Sequence, residues 1–198
     1  MSPTTSQNSL LRVAWMEDPA LTPLWPGRLG LTIAPGKKGV TAEGNRHDRD
    51  LSADMNQLGA DGVTRLVNLM EAHEETKWQI HGYDDAAARA GLESRRFPVV
   101  DVSVPTDPAA FAQLVEEVYA ELQTGETVVA HCLGGLGRSG MLVACLLVRS
   151  GEFTAEGAVK FVRSKRSPKA VEGAQPQFVG QYARSLDLQN LNRPTLNR

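Results

Sequence analysis

The sequence predicts an α/β fold, a central and mostly parallel sheet flanked by helices in a single domain. Short apolar runs rich in β-branched residues alternate with stretches of helical periodicity, the pattern of strands packed between helices. The 198 residues suit one ordinary domain and supply enough chain for a buried core. With 41% hydrophobic, 22% charged and 6% aromatic residues, the composition excludes wholesale disorder, a collagen-like repeat and a disulfide scaffold.

Residues 1–9 are small and polar and are expected to be disordered, the folded domain spans 10–188, and a flexible tail covers 189–198. Within the domain Leu29–Ile33, Val63–Leu69, Phe97–Val102 and Val128–His131 read as strands. Asp107 as N-cap and Pro108 at the first helical position introduce a helix whose Phe111, Leu114, Val115, Val118 and Leu122 form one apolar stripe, ended by Gly125. Leu51, Met55 and Leu58 make a weaker stripe behind Asp50, and Thr154 caps a segment in which Val159 and Val162 share a face until Ser167-Pro168. Asp84-Asp85 before three alanines reads as a helix cap. Met141–Val148 is apolar around its whole circumference, which marks a central helix covered on most sides.

Charge and composition remove several function classes. Lys and Arg number 21 against 23 Asp and Glu, a formal charge of -2, so neither nucleic acid nor an anionic membrane is an expected partner, and any attraction for an anion must be local. The run Met141–Val148 falls far short of the roughly 20 residues a membrane span requires, and no signal-peptide pattern opens the chain, so a cytoplasmic location is expected by default; a monomer is expected as well. Cys132 and Cys145 are the only cysteines, and the histidines at 47, 73, 81 and 131 lack metal-ligand spacing, so no metal site is expected.

The chemistry concentrates in Val128-Val129-Ala130-His131-Cys132-Leu133-Gly134-Gly135-Leu136-Gly137-Arg138-Ser139-Gly140. A β-run ends in His-Cys, five residues with three glycines follow, and Arg-Ser opens the buried helix. So short a loop wraps one tetrahedral oxyanion only if its N–H groups turn inward, which glycine permits, and the helix N-terminus adds partial positive charge at the same spot. Leu133, Gly134, Gly135, Leu136 and Gly137 are the candidate phosphate-binding residues, joined by Arg138, whose planar fork matches two phosphate oxygens. Cys132 sits at the base of this cradle. A free thiol titrates near 8.5, and such surroundings bring it to about 3.5–7.5, so a thiolate nucleophile would face phosphorus. A P-loop of the GxxxxGK[ST] type carries lysine where this loop has arginine and holds no nucleophile, so nucleotide binding by that route is not supported.

The segment His131-Cys132-x5-Arg138-Ser139 resembles the signature of cysteine-dependent protein tyrosine and dual-specificity phosphatases. Gly134-Gly135-Leu136-Gly137-Arg138-Ser139 is most similar to the kinase-associated phosphatase branch, whose members dephosphorylate cyclin-dependent kinases. Leu29-Gly30-Leu31-Thr32-Ile33-Ala34-Pro35-Gly36-Lys37-Lys38 resembles that branch's N-terminal strand and turn. The resemblance spans roughly residues 25–182 and implies a protein tyrosine phosphatase-like fold with metal-independent, cofactor-free hydrolysis of phosphomonoesters. It implies a phosphorylated protein as partner, with kinases among the candidates. Because the loop carries no lysine between Cys132 and Arg138, a phosphoinositide is second choice, and small phosphorylated metabolites or RNA 5' ends stay open.

Thiolate attack needs an acid to protonate the leaving oxygen. The family places an aspartate roughly thirty residues before the cysteine, and Asp101, in Phe97-Pro98-Val99-Val100-Asp101, lies 31 positions upstream. It is the expected general acid and, once ionised, the base for attacking water. Asp107 is the rival, but Pro108 after it favours an N-cap. Ser139 would donate to the departing thiolate, and His131 would hold the loop through hydrogen bonds. In relatives a segment resembling Ala170-Val171-Glu172 leads to a water-positioning glutamine. Here Gln175 and Gln177 straddle that position, each off by one residue. Two other readings also use a cysteine under an anion loop: a phospho-residue binding module without turnover, and a rhodanese-like sulfur carrier, whose loop is shorter. Cys145 reads as a small buried hydrophobe. Lys160, Arg163, Lys165, Arg166 and Lys169 read as a solvated basic face, with steering of an anionic substrate as the alternative.

Overall fold

The structure, a computed structural model, describes residues 2–18 and 23–191. Its elements run in chain order as β1 (Ala14–Trp15), β2 (Arg28–Thr32), β3 (Lys38–Val40), β4 (Arg46–Asp48), α1 (Leu51–Ala60), β5 (Arg65–Asn68), α2 (Ala72–Lys77), α3 (Tyr83–Arg89), β6 (Glu93–Arg96), α4 (Pro108–Gln123), β7 (Thr127–His131), α5 (Arg138–Arg149), α6 (Ala155–Lys165) and α7 (Gln175–Leu191). The main sheet has the order β1-β2-β7-β5-β6, and β3 pairs with β4 in a separate hairpin. Only β1 runs antiparallel to its neighbour; β2, β7, β5 and β6 are parallel. Their carboxyl ends therefore open on one edge, where ligands bind in sheets of this kind. The expected α/β architecture is the observed one.

Alternation along the strands builds two cores. Val128 and Ala130 of β7 and Val67 of β5 join the apolar faces of α4, α5, α6 and α7. Val129 and Leu66 point the other way, into the cluster of Met55 and Leu58 from α1 and Tyr83, Ala86 and Ala87 from α3. Helix α5 passes through the first core with Met141 to Leu147 wholly inaccessible, as its all-round apolarity predicts. The caps hold as expected: Asp107 accepts from Ala109 and Ala110 N–H, Asp50 from Ala53 N–H, and Thr154 from Gly157 N–H.

Three expectations need correction. Phe97–Val102 is not a strand. The pairing strand is β6, Glu93–Arg96, and although Phe97 and Val99 N–H still donate to Asn68 and Leu69 carbonyls, Pro98 between them has no N–H and the ladder ends. The true edge strand is charged, with Arg95 paired to Glu121 and Arg96 to Glu75 and Asp84, so apolar alternation did not mark it. Asp84 and Asp85 lie inside the first turn of α3 and the N-cap is Gly82, while Asp84 accepts from Ser94 Oγ and Arg96 Nε. Finally, residues 2–9 make contacts their composition did not suggest, and α7 runs to Leu191, past 188. Thr4 pairs with the β4 region through Thr4 N–H to Arg46 O and Asp48 N–H to Thr4 O.

A buried ion pair holds that segment. Arg49 donates from Nε and Nη2 to the two carboxylate oxygens of Asp54 at 2.7 Å each, and both side chains are 1% exposed. Arg49 Nη1 donates to Ser9 O, Ser6 Oγ to Asp54 Oδ1, and Gly36 N–H to Asp54 Oδ2. Every bond of the fork is thus used, and the pair fastens the amino-terminal segment and the turn after β2 to α1. Asp54→Ala leaves a buried guanidinium uncompensated and is expected to cost about 3–5 kcal/mol in urea unfolding. The double variant Arg49→Met, Asp54→Leu should recover much of that loss, and additive losses would show that the pair is not the organising contact.

Candidate active site

The loop from Cys132 to Arg138 leaves the carboxyl end of the central strand β7 and enters α5. Five consecutive carbonyls along it are held from outside. Leu133 O accepts from Ala34 N–H and Lys37 Nζ, Gly134 O and Gly135 O from the Arg166 guanidinium, Leu136 O from Val171 N–H, and Gly137 O from Met141 N–H. In a trans peptide the N–H points opposite to the C=O, so the amides of residues 134–138 face the other side together. Glycine is required at Gly135, whose φ is +61° and where a Cβ would lie 2.1 Å from Thr32 O. At Gly137 a Cβ would meet Glu172 Oε1 at 2.8 Å and the Gln175 amide at 3.1 Å.

Cys132 lies beneath this ring, 3% exposed, with Sγ 3.5 Å from Ser139 Oγ. Burial alone would raise its pKa. The Arg138 charge, the Ser139 hydroxyl and the Ser139 and Leu136 amides outweigh that and hold the thiol below its ordinary value. Cys145, with no such partners, is pushed up by burial and behaves as the expected buried hydrophobe.

Arg138 is 1% exposed and its fork is already oriented. Nη1 and Nη2 donate to Glu74 Oε2 and Oε1 at 2.5 and 2.8 Å, Nη1 also donates to Val99 O at 3.0 Å, and Nη2 lies 2.8 Å from Asp101 Oδ1. Its Nε is buried and has no hydrogen-bond partner among the described residues, so one donor of the fork is uncommitted. Glu74, from α2, was not found in the sequence: it sits in a run of acidic residues on a six-residue helix, and nothing in that run distinguishes the one that turns inward. Burial would raise its pKa, but the Arg138 fork and the Glu71 N–H keep its carboxyl below the ordinary range.

Asp101 stands in a turn after β6 rather than at a strand end, 57% exposed and in contact with Arg138. Asp107 is taken up in capping α4. His131 is fully buried, and its Nε2 is 2.5 Å from the Tyr83 hydroxyl. Gln175 opens α7 and is buried, its Oε1 accepting from Glu172 N–H and its Nε2 donating to Ser103 O. Gln177 is exposed on α7, so only Gln175 is brought to the loop. The basic cluster is mostly not a solvated face. Arg166 holds the loop, Arg163 donates to Ala170 O and Val171 O, and Lys165 pairs with Asp18, whereas Lys160 and Lys169 are exposed.

A family model described as "Polymorphic toxin system, DSP-PTPase phosphatase" matches residues 41–152. Cyclin-dependent kinase inhibitor 3 of Sus scrofa is 24% identical over 198 residues, covering 99% of this chain and 90% of its own. A solved kinase associated phosphatase, with serine in place of its catalytic-site cysteine, superposes with a TM-score of 0.77 at 23% identity, covering 90% of this chain and 97% of that one. The structure of PTPMT1 superposes with a TM-score of 0.64 at 19% identity, covering 86% and 98%. The two structural likenesses show a shared fold.

Burial lowers the pKa of His131 from 6.5 to about 3. The unfolded chain therefore binds a proton below its ordinary pKa that the folded chain refuses until much lower pH. Stability from this group is complete above about 6.5 and is lost as pH falls toward 3. His47, lowered by burial to about 4, acts with the same sign. Between about pH 7 and pH 4, His131 alone should remove on the order of 3 kcal/mol from the urea unfolding free energy, at about 1.4 kcal/mol per unit. His131→Gln should flatten that dependence, and an unchanged slope would place the acid sensitivity elsewhere.

Proposed function

The chain belongs to the DSP-PTPase phosphatase family and is a cysteine-based phosphatase; from that premise we propose that Cys132 is its nucleophile, acting on phosphorylated protein side chains through a phosphocysteine. The observation that carries this reading is the coincidence at one point of a thiol held below its ordinary pKa, five inward amides and the unpartnered Nε of Arg138. A tetrahedral dianion seated there meets donors on its equatorial oxygens with sulfur in line below phosphorus.

In the first half-reaction Cys132 Sγ forms a bond to phosphorus while the ester P–O bond breaks, and the leaving oxygen takes the proton of Asp101. In the second, water attacks phosphorus, its proton passes to the Asp101 carboxylate, and the S–P bond breaks to release inorganic phosphate. Ser139 Oγ, 3.5 Å from Sγ, supports the departing thiolate. Contact of Asp101 Oδ1 with Arg138 Nη2 supports its reading as the acid and base of both steps. Gln175 fits the water-positioning role better than Gln177, because its amide borders Gly137. Leu133, Gly134, Gly135, Leu136 and Gly137 form the backbone cradle, and His131 steadies its base through Tyr83.

Phosphotyrosine or phosphothreonine on a protein is the favoured substrate class, supported by a loop whose only charged side chain is Arg138 and by similarity to a cyclin-dependent kinase inhibitor 3. Among the described residues no helix is long and apolar enough to cross a membrane. A cytoplasmic site of action, as a monomer, completes the reading, since a thiolate nucleophile works where thiols stay reduced.

Hydrolysis of para-nitrophenyl phosphate tests the mechanism. Cys132→Ser and Asp101→Asn should each lower kcat by at least about a hundredfold, and EDTA should leave the rate unchanged. Full activity in Cys132→Ser overturns the assignment. The Asp101→Ala protein should retain a phosphotyrosyl or phosphothreonyl peptide that the parent hydrolyses, and retention of a soluble inositol phosphate instead would move the substrate class to lipids.

A further inference from the structure

Lys37 lies in the turn between β2 and β3 and is only 3% exposed. Its Nζ is 3.4 Å from Leu133 O, and among the described residues no carboxylate pairs with it. A buried ammonium without a counter-ion is costly, and a lysine so placed normally loses its proton or finds an anion. The charged groups that face it are few. Cys132 is the strongest attraction, Arg49 before α1 and Arg166 after α6 repel, Glu43 from the β3–β4 hairpin attracts weakly, and His47 of β4 lies nearby. The Trp78 ring, 5.9 Å away, closes another side.

We infer that Lys37 is a positioning residue for the nucleophile: its ammonium is a second counter-cation of the Cys132 thiolate, and its hydrogen bond to Leu133 O turns the first peptide of the cradle. This rests on the phosphocysteine reading above. Arg138 approaches the thiolate from α5 and has its charge shared with Glu74 and Asp101, whereas Lys37 comes from the β2 side with no carboxylate to divide it. The thiolate in turn explains how the buried cation is tolerated. Burial, first, with Arg49 and Arg166 brings the ammonium down to about 8 against the pull of Cys132, so it keeps its proton at neutral pH.

The test reads thiolate directly, as the ultraviolet absorbance of each protein minus that of its Cys132→Ser counterpart across pH. Lys37→Gln keeps a donor for Leu133 O and removes the charge; Lys37→Met removes both. Each should raise the Cys132 midpoint by about one unit, the usual effect of removing one nearby opposite charge. The melting temperature of Lys37→Gln should hold, since the hydrogen bond remains. A Lys37→Gln midpoint equal to the parent's overturns the inference and leaves the phosphatase reading intact, because the lysine would then be only a brace for the loop. A parent thiol that titrates like a free one, with no turnover of para-nitrophenyl phosphate, is the separate failure of the reading beneath it.

Discussion

An anion site made of backbone amides depends on which way the peptide planes between Cys132 and Arg138 are turned. Donors that converge on one point repel each other when nothing sits there, so the arrangement has to be imposed from outside. Here the restraint acts on the carbonyls. The end of β2, the turn carrying Lys37, the residue after α6, the segment before α7 and the first turn of α5 each hold one or two of them. That five separate parts of the chain meet around a seven-residue loop is the reason for the fold's layout: β7 is central in the sheet, and the carboxyl ends of β2 and β5 flank it. Cys132 Sγ relieves part of the repulsion by accepting from the Leu136 and Ser139 amides.

The same economy governs charge. A net -2 on the whole chain says nothing about the site, where Arg138, Lys37 and Arg166 face Cys132, Glu74 and Asp101 within one cluster. Glu74 is spent on orienting the guanidinium, fixing both terminal nitrogens so that Nε stays aimed and free. Asp101 differs in being exposed and in contacting only one nitrogen of the fork. A phosphate dianion arriving at the loop would compete with that carboxylate for Nη2.

What could be read from the sequence was local or periodic. The stripe of α4 with its Asp107 cap, the all-round apolarity of α5 and the Cys132-to-Arg138 loop all declare themselves within a few consecutive residues. The spacing from the cysteine singled out Asp101, which lies against Arg138, although the strand expected to carry it stops earlier, at Arg96. The supporting shell was illegible for a different reason. Glu74, Tyr83, Lys37 and Arg166 are ordinary charged or aromatic residues whose roles come from where distant segments bring them; the Arg138–Glu74 contact joins positions 64 apart. Composition misled at residues 2–9, because the Ser6 hydroxyl and the Ser9 carbonyl bond a buried ion pair, and in the basic cluster, where Arg163 and Arg166 hold carbonyls instead of facing water.

The turn that carries Asp101 shows how an exposed residue can still be placed. Asp101 has little packing of its own, and its neighbours Val100 and Val102 are both about half exposed. The turn is fixed at its ends instead. On one side Val99 N–H donates to Leu69 O and Val99 O accepts from Arg138; on the other, Ser103 O accepts from Gln175, which is itself locked by Glu172 N–H. Between these anchors Val102 takes a φ of +55°, a left-handed conformation that a β-branched residue adopts only at a cost of about 1–3 kcal/mol. Such strain persists when the surrounding bonds over-determine the backbone, and here those bonds run to Arg138 and to the residue bordering Gly137. The carboxyl, the guanidinium and the loop are thereby coupled through main-chain contacts, so Asp101 can stay in solvent without losing its contact with Arg138.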